Sequence, residues 1–241
     1  MIDHIKSPQS LITKKLEESF LKNESLTIKS NGTHEIEIKK SRFICTMARI
    51  ENEDQAKNII AKVSKDNAKA NHNCFAYMLG DDDHIQRESD NGEPSGTAGV
   101  PILEVLKMNQ LHNVLAVVTR YFSGIKLGAG GLIRAYSNAT STTIDSLGIV
   151  KLVNKQEIKL TIEYNQFDKL KYFLEQASIP IEATNYTDKI EVVIAVSKQD
   201  FEPLITQITN LLSDQFSYKK GEWKMFEVPY SREARQKDED N

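Results

Sequence analysis

The passage NVLAVVTRYFSGIKLGAGGLIRAYSNATSTTIDSLG, Asn113 to Gly148, constrains the fold more than any other part of the chain. Its first ten residues hold a continuous apolar run, Val114 to Val118, the pattern of a strand covered on both faces. A glycine-rich turn follows. Then Leu132, Ile133, Tyr136, Thr140, Ile144 and Leu147 recur at helical spacing, which predicts a helix running to Gly148. A doubly covered strand leading straight into a long amphipathic helix places this region in a layered α/β arrangement.

The segments before it agree. HEIEIKK alternates apolar and polar residues, and RFICTMARI follows after a short turn, so both read as strands. Asn52 is placed to cap a helix with Gln55 in the capping-box position and Ala56, Ile59, Ile60 and Val63 on one face. CFAYMLG and HIQRES read as hairpin strands joined at the acidic turn Asp81 to Asp83, and Pro101 suits the first turn of a short apolar helix. Residues 25–150 thus form a first α/β sandwich domain, preceded by an N-terminal extension over 1–24.

The second half changes pattern. EIKLTIEY is a strand, a helix with Phe167, Leu170, Phe173, Leu174 and Ala177 inward ends before Pro180, and IPIEATNY and KIEVVIAV are two further strands. Ser197 is placed to cap a second helix, and SYKKGEWKMFEVP closes the series as a strand in which Trp223 reads as a core residue. That order, βαββαβ over residues 155–230, is the ferredoxin-like split unit. The fold class is therefore α+β, two α/β sandwich domains, with a charged tail at 231–241.

Composition narrows the function classes. A net charge of −3 gives no global reason to bind nucleic acid, so any such binding must come from a local patch. No apolar run reaches the roughly 20 residues of a membrane-spanning helix, and the N-terminus lacks an uninterrupted apolar signal segment. The expectation is a cytoplasmic protein with no membrane partner. Cys45 and Cys74 read as buried free thiols, and neither they nor the five histidines show metal-ligand spacing, so no metal or cofactor is expected.

A local patch does exist. From Val105 to Ile144 there is no Asp or Glu, but there are Lys107, Arg120, Lys126 and Arg134. Together with Gly128, Gly130 and Gly131 at a helix N-terminus, Arg120, Lys126 and Arg134 describe an anion or nucleic-acid-backbone site. The alternative is that the glycines only allow a tight strand-to-helix turn. The run is neither a P-loop nor G-x-G-x-x-G. A second cluster of uncertain role comprises His72, Asp90 and Glu93. Asp90 and Glu93 sit in the Gly/Pro-rich passage DNGEPSGTAG, where they are either an acid/base pair or simply turn-formers, with Ser95 or Thr97 available to cap the next helix. As turn-formers they should tolerate replacement by Asn and Gln with modest loss of stability.

In chain order, EIEIKKSRFI, HNCFAY, DNGEPSGTAGVPIL and NVLAVVTRYFSGIKLGAGGLIRAYSNA closely resemble the bacterial YigZ-like branch of the IMPACT family. The resemblance spans about residues 26 to 228. It implies a first domain like the second domain of the small-subunit ribosomal protein number five, a fold shared with elongation factor G and GHMP kinases. It also implies a translation-linked regulator or nucleic-acid-binding protein with no established reaction. Two departures stand out: Ser123 where the family usually has glycine, and Asn91 where it often has aspartate. Three functions follow as expectations: binding of RNA or the ribosome through the basic glycine motif, binding or turnover of a phosphorylated small molecule there, or regulation through a protein partner at the acidic turn.

Overall fold

A computed structural model describes residues 24–80 and 82–230. The expected extension over residues 1–24, except Glu24, and the expected charged tail over residues 231–241 lie outside the described residues. The chain divides into two compact units, 24–151 with 228–230, and 152–227.

The first unit is built on strands β1 (Glu24–Ile28), β2 (Gly32–Ile38), β3 (Ser41–Arg49), β4 (His72–Leu79), β5 (Ile85–Ser89) and β6 (Val114–Tyr121). Its helices are α1 (Glu53–Asp66), α2 (Gly99–Met108) and α3 (Ala129–Leu147). Five of the strands form one sheet in the order β2-β3-β6-β4-β5, antiparallel throughout. The apolar run lies at its centre. Leu115 and Val117 of β6 pack with Ala56 and Val63 of α1, while Val114, Ala116 and Val118 pack with α2 and α3 residues such as Ile102, Leu106, Leu132 and Tyr136. The strand is buried on both sides because helices cover both.

Local details explain the element ends. Asn52 caps α1 by accepting from the Gln55 N–H at 2.9 Å, but the return bond from Gln55 goes to the Glu51 N–H rather than to Asn52. Ile133, expected in the apolar stripe of α3, is 42% exposed, because the stripe is narrower than its sequence suggests.

In the second unit the chain order is β7 (Ile149–Ile162), α4 (Phe167–Gln176), β8 (Ile181–Tyr186), β9 (Ile190–Val196), α5 (Phe201–Leu212) and β10 (Ser217–Pro229). This is the ferredoxin-like βαββαβ order. β7 pairs antiparallel with β9, β9 with β8, and β10 joins the other side of β7. Ile158, Leu160, Ile162, Ile190, Val192 and Ile194 present one face to Leu170, Leu174, Leu204 and Ile208 of the two helices. β7 is longer than EIKLTIEY, since it starts at once after Gly148 and also pairs with β1. α5 begins at Phe201; the Ser197 hydroxyl accepts from the Asp200 N–H at 3.2 Å and closes a turn before the helix. Trp223 corrects the core reading, being 40% exposed on β10, a strand whose residues are mostly exposed.

Candidate anion site at the start of α3

The sheet register assembles the site. Phe43 of β3 pairs with Arg120 of β6, and Arg120 pairs with His72 of β4, so the three lie in one row across neighbouring strands. Because side chains alternate along a strand, that row faces the same side as Cys45, Val118 and Cys74 beneath it, the side covered by α3. Tyr136, two turns into α3, points down onto this row and meets Phe43 edge-on with ring centroids 5.4 Å apart.

Glu93 enters from the turn before α2 and is the hub. Its Oε1 accepts from Arg120 Nη1 at 2.6 Å and from the Tyr136 hydroxyl at 2.8 Å, and His72 Nε2 stands 3.9 Å away. His72 Nδ1 donates to the Asn91 carbonyl at 3.0 Å, which turns Nε2 toward Glu93. Burial pushes the Tyr136 hydroxyl far above its usual range, with Cys74 and Glu93 adding to it, so it remains a hydrogen-bond donor. Burial likewise pushes the Cys74 and Cys45 thiols up to about 12, which makes both inert.

Asp90 has a different task. Its carboxylate accepts from the backbone N–H groups of Gly96 at 2.7 Å and of Ala98 and Gly99 at 2.9 Å, capping α2 from across the turn. Neither Ser95 nor Thr97 caps that helix; the Thr97 hydroxyl donates to the Pro94 carbonyl instead. Burial opposes ionisation of Asp90, and the Gly96, Gly99 and Ala98 donors outweigh it, holding the carboxyl below its usual range. Gly99 has no room for a side chain, since a Cβ there meets the Ser89 backbone at 2.7 Å. Asp90 and Glu93 are therefore not a facing acid/base pair. One organises the turn and the other anchors Arg120.

Above this cluster lies a cleft of about 380 Å³ lined by Asn71, His72, Glu93, Pro94, Arg120, Phe122, Lys126, Leu127, Gly128, Ala129 and Leu132. Arg120, 5% exposed, forms its floor between Phe43 and Phe122, with Cζ 5.4 and 5.1 Å from the two ring centroids. Its Nε is buried and has no hydrogen-bond partner. The first turn of α3 forms one wall. Gly128 stands at its N-cap with φ +71°, a conformation that glycine adopts without strain, and offers no side chain to cap the helix. The first turn carries no acidic residue, and a Cβ at Gly130 would meet only Arg134 Nη1, at 3.8 Å. Open N–H groups and their partial positive charge thus face the cleft.

Of the basic residues expected together, Arg120 and Lys126 share the cleft with Gly128, whereas Arg134 lies back over the first turn of α3, outside the lining. A Cβ at Gly131 would stand only 3.0 Å from Leu127 Cβ, so the glycine allows a close approach there. Lys107 is paired with Glu104 on α2. In the sequence Tyr136 is one residue of an apolar stripe, and no local pattern marks Phe122. A tyrosine within a stripe of aliphatic and small residues was the available signal, because a buried hydroxyl needs a partner. The two departures are accommodated. Ser123 donates its hydroxyl to the Lys39 carbonyl at 2.8 Å, and Asn91, at φ +41°, donates from Nδ2 to the Asn73 carbonyl at 2.9 Å. At the acidic turn, Asp82 and Asp83 are held by His84 and His112. Among the described residues no His, Cys, Asp and Glu side chains form a metal-sized group, and no helix is long and apolar enough to cross a membrane.

Fold and site together define a two-unit α+β protein with a ferredoxin-like second unit and a cleft at a helix N-terminus in the first. Residues 39–144 match the Impact N-terminal domain, and residues 160–215 match a domain of unknown function, DUF1949. The chain is 43% identical over 199 residues to IMPACT family member YvyE of Bacillus subtilis, covering 81% of this chain and 90% of that protein. It is 36% identical over 152 residues to IMPACT family member YigZ of Escherichia coli, covering 62% and 74%. With the rat Protein IMPACT it shares 34% identity over 95 residues, 29% of that longer protein. A crystal structure described as that of a hypothetical protein aligns at a TM-score of 0.54 and 30% identity, covering 82% of this chain and 97% of the other. The chain belongs to the IMPACT family.

Proposed function

We propose that the first unit is a phosphate-binding module that grips single-stranded RNA, in the service of translation-linked regulation. The observation that carries this reading is the convergence of Arg120 and the uncapped start of α3 on one cleft. A buried guanidinium nitrogen without an acceptor and open helix N–H groups both lack the same thing, a negatively charged oxygen. Lys126 adds a cation at the mouth. Because none of these groups reads a base edge, the grip is on backbone and discriminates little between sequences.

The test is RNA binding followed by anisotropy across a salt series. Ala129→Asp places a carboxylate in the first turn of α3, where it competes for the N–H groups; affinity for all sequences should fall together. Lys126→Gln should weaken binding evenly and flatten the salt dependence by about 0.7 in slope, the single-strand value for one phosphate contact. If both variants bind RNA as the parent does, with the same slope, the reading fails.

A further inference from the structure

Phe122 is the feature of this cleft that phosphate binding leaves unused. It is the residue after β6, its backbone N–H donates to Asn71 Oδ1 at 2.8 Å, and its ring lines the cleft while 41% exposed. One face of the ring rests on the Arg120 guanidinium, Cζ to centroid 5.1 Å. The guanidinium is in turn held by Glu93 at 2.6 Å and backed by Phe43. An exposed aromatic is thus pinned through its backbone and braced from behind by a buried ion pair, so its orientation is set before any ligand arrives. Pro94, Leu127 and Leu132 line the same cleft, together with Lys126 and the start of α3.

We propose that Phe122 is a base-stacking platform, so that the unit of recognition is a nucleotide. Its phosphate lies at the start of α3 and its base lies flat on the Phe122 ring. This rests on the phosphate reading above and extends it from an anion to a nucleotide. Every base offers a π-face, so stacking adds affinity without sequence preference. Glu93 does not repel the phosphate, because its charge is matched by Arg120 and its Oε1 is already engaged twice. The cleft volume of about 380 Å³ falls within the range of small-ligand sites.

The experiment measures binding of inorganic phosphate, ribose 5-phosphate, adenosine 5′-monophosphate and uridine 5′-monophosphate to the full chain by calorimetry. Both nucleotides should bind on the order of tenfold more tightly than ribose 5-phosphate, the scale of one base–aromatic stack. Phe122→Leu, which keeps apolar bulk without a π-face, and Phe122→Ala should remove that increment, so that each variant binds the nucleotides no more tightly than it binds ribose 5-phosphate, whereas Phe122→Tyr should keep it. Melting curves identify any variant that fails to fold, and the Leu and Tyr pair then carries the comparison. Equal affinity for ribose 5-phosphate and the nucleotides, or an increment that survives Phe122→Leu, overturns the stacking inference while leaving the phosphate reading intact. Absence of binding by all four probes sinks both.

Discussion

At Glu93 a single oxygen accepts from Arg120 at 2.6 Å and from Tyr136 at 2.8 Å, and the side chain is 3% exposed. A turn-former in solvent tolerates loss of its charge, but this residue holds an arginine side chain that is 6% exposed. Glu93→Gln leaves that cation buried without its counter-charge, so unfolding in urea should show a loss of about 3–5 kcal/mol. The joint change Glu93→Leu with Arg120→Met should recover much of that loss, since well-packed apolar residues often replace a buried pair at little cost, yet it should abolish anion binding. Asp90→Asn should cost about 2 kcal/mol, because three N–H groups at the start of α2 lose a charged acceptor. The pH dependence has a definite sign. Asp90 has a lowered folded pKa, so its contribution is present in full above the unfolded carboxyl value and is lost as pH falls through the folded one. The stability gap between parent and Asp90→Asn should therefore be constant near neutrality and narrow only below about pH 4.

Among the elements, α3 and the β2–β3 hairpin have opposite kinds of imperfection. The start of α3 is uncapped and carries no acidic residue, which is poor for stability and suited to an anion. Ala129→Asp should therefore stabilise the free protein by about 0.5 kcal/mol through the helix dipole while removing phosphate binding. A thermal melt beside a binding titration reads both, and a variant that weakens both would show that the first turn is needed for packing instead. The hairpin pairs Ile38 with Ser41 around Lys39 and Lys40, whose φ values of +47° and +64° are those of a type I′ turn. Asn-Gly is the pair that this turn favours. Lys39→Asn with Lys40→Gly should raise stability by about 1 kcal/mol and the melting temperature by a few degrees.

For the whole molecule, the division into two units is a division of cores. Residues around Val114, Ile102 and Leu132 form one cluster, and those around Ile158, Leu170 and Leu204 another. The cleft draws only on residues of the first unit. Leu160→Ala, at a fully buried position of β7, should cost about 2–5 kcal/mol in the second unit and leave phosphate affinity of the folded protein unchanged. Parallel loss of binding and of second-unit stability would tie the site to both. Residues 151–154, which fall between the domain ranges 25–150 and 155–230 expected from sequence, lie inside the continuous strand Ile149–Ile162. Hydrogen exchange should accordingly find protected amides there, not a cleavable linker.

Periodicity, with cap and turn residues, determined the order of strands and helices apart from β1, because burial against one or two layers imprints a period of two, a period of 3.6 or an unbroken apolar run. The doubly covered β6, the helix ending at Gly148 and the βαββαβ order were legible in this way, and the glycine motifs carried the family. What the tertiary structure decided was who meets whom. Arg120 and Glu93 are 27 positions apart and Tyr136 and Glu93 are 43 apart, and only the pairing of β3, β6 and β4 under α3 brings them together. A sequence read segment by segment assigns Arg120 to a basic motif and Glu93 to an acidic turn; a shared, buried hydrogen bond joins them. The same holds for Trp223, whose type suggests a core and whose position at a sheet edge denies it one. Local pattern reports how strongly a residue prefers to be buried. Register and layer packing determine whether it is, and beside which partner, since those depend on contacts that no window of sequence contains.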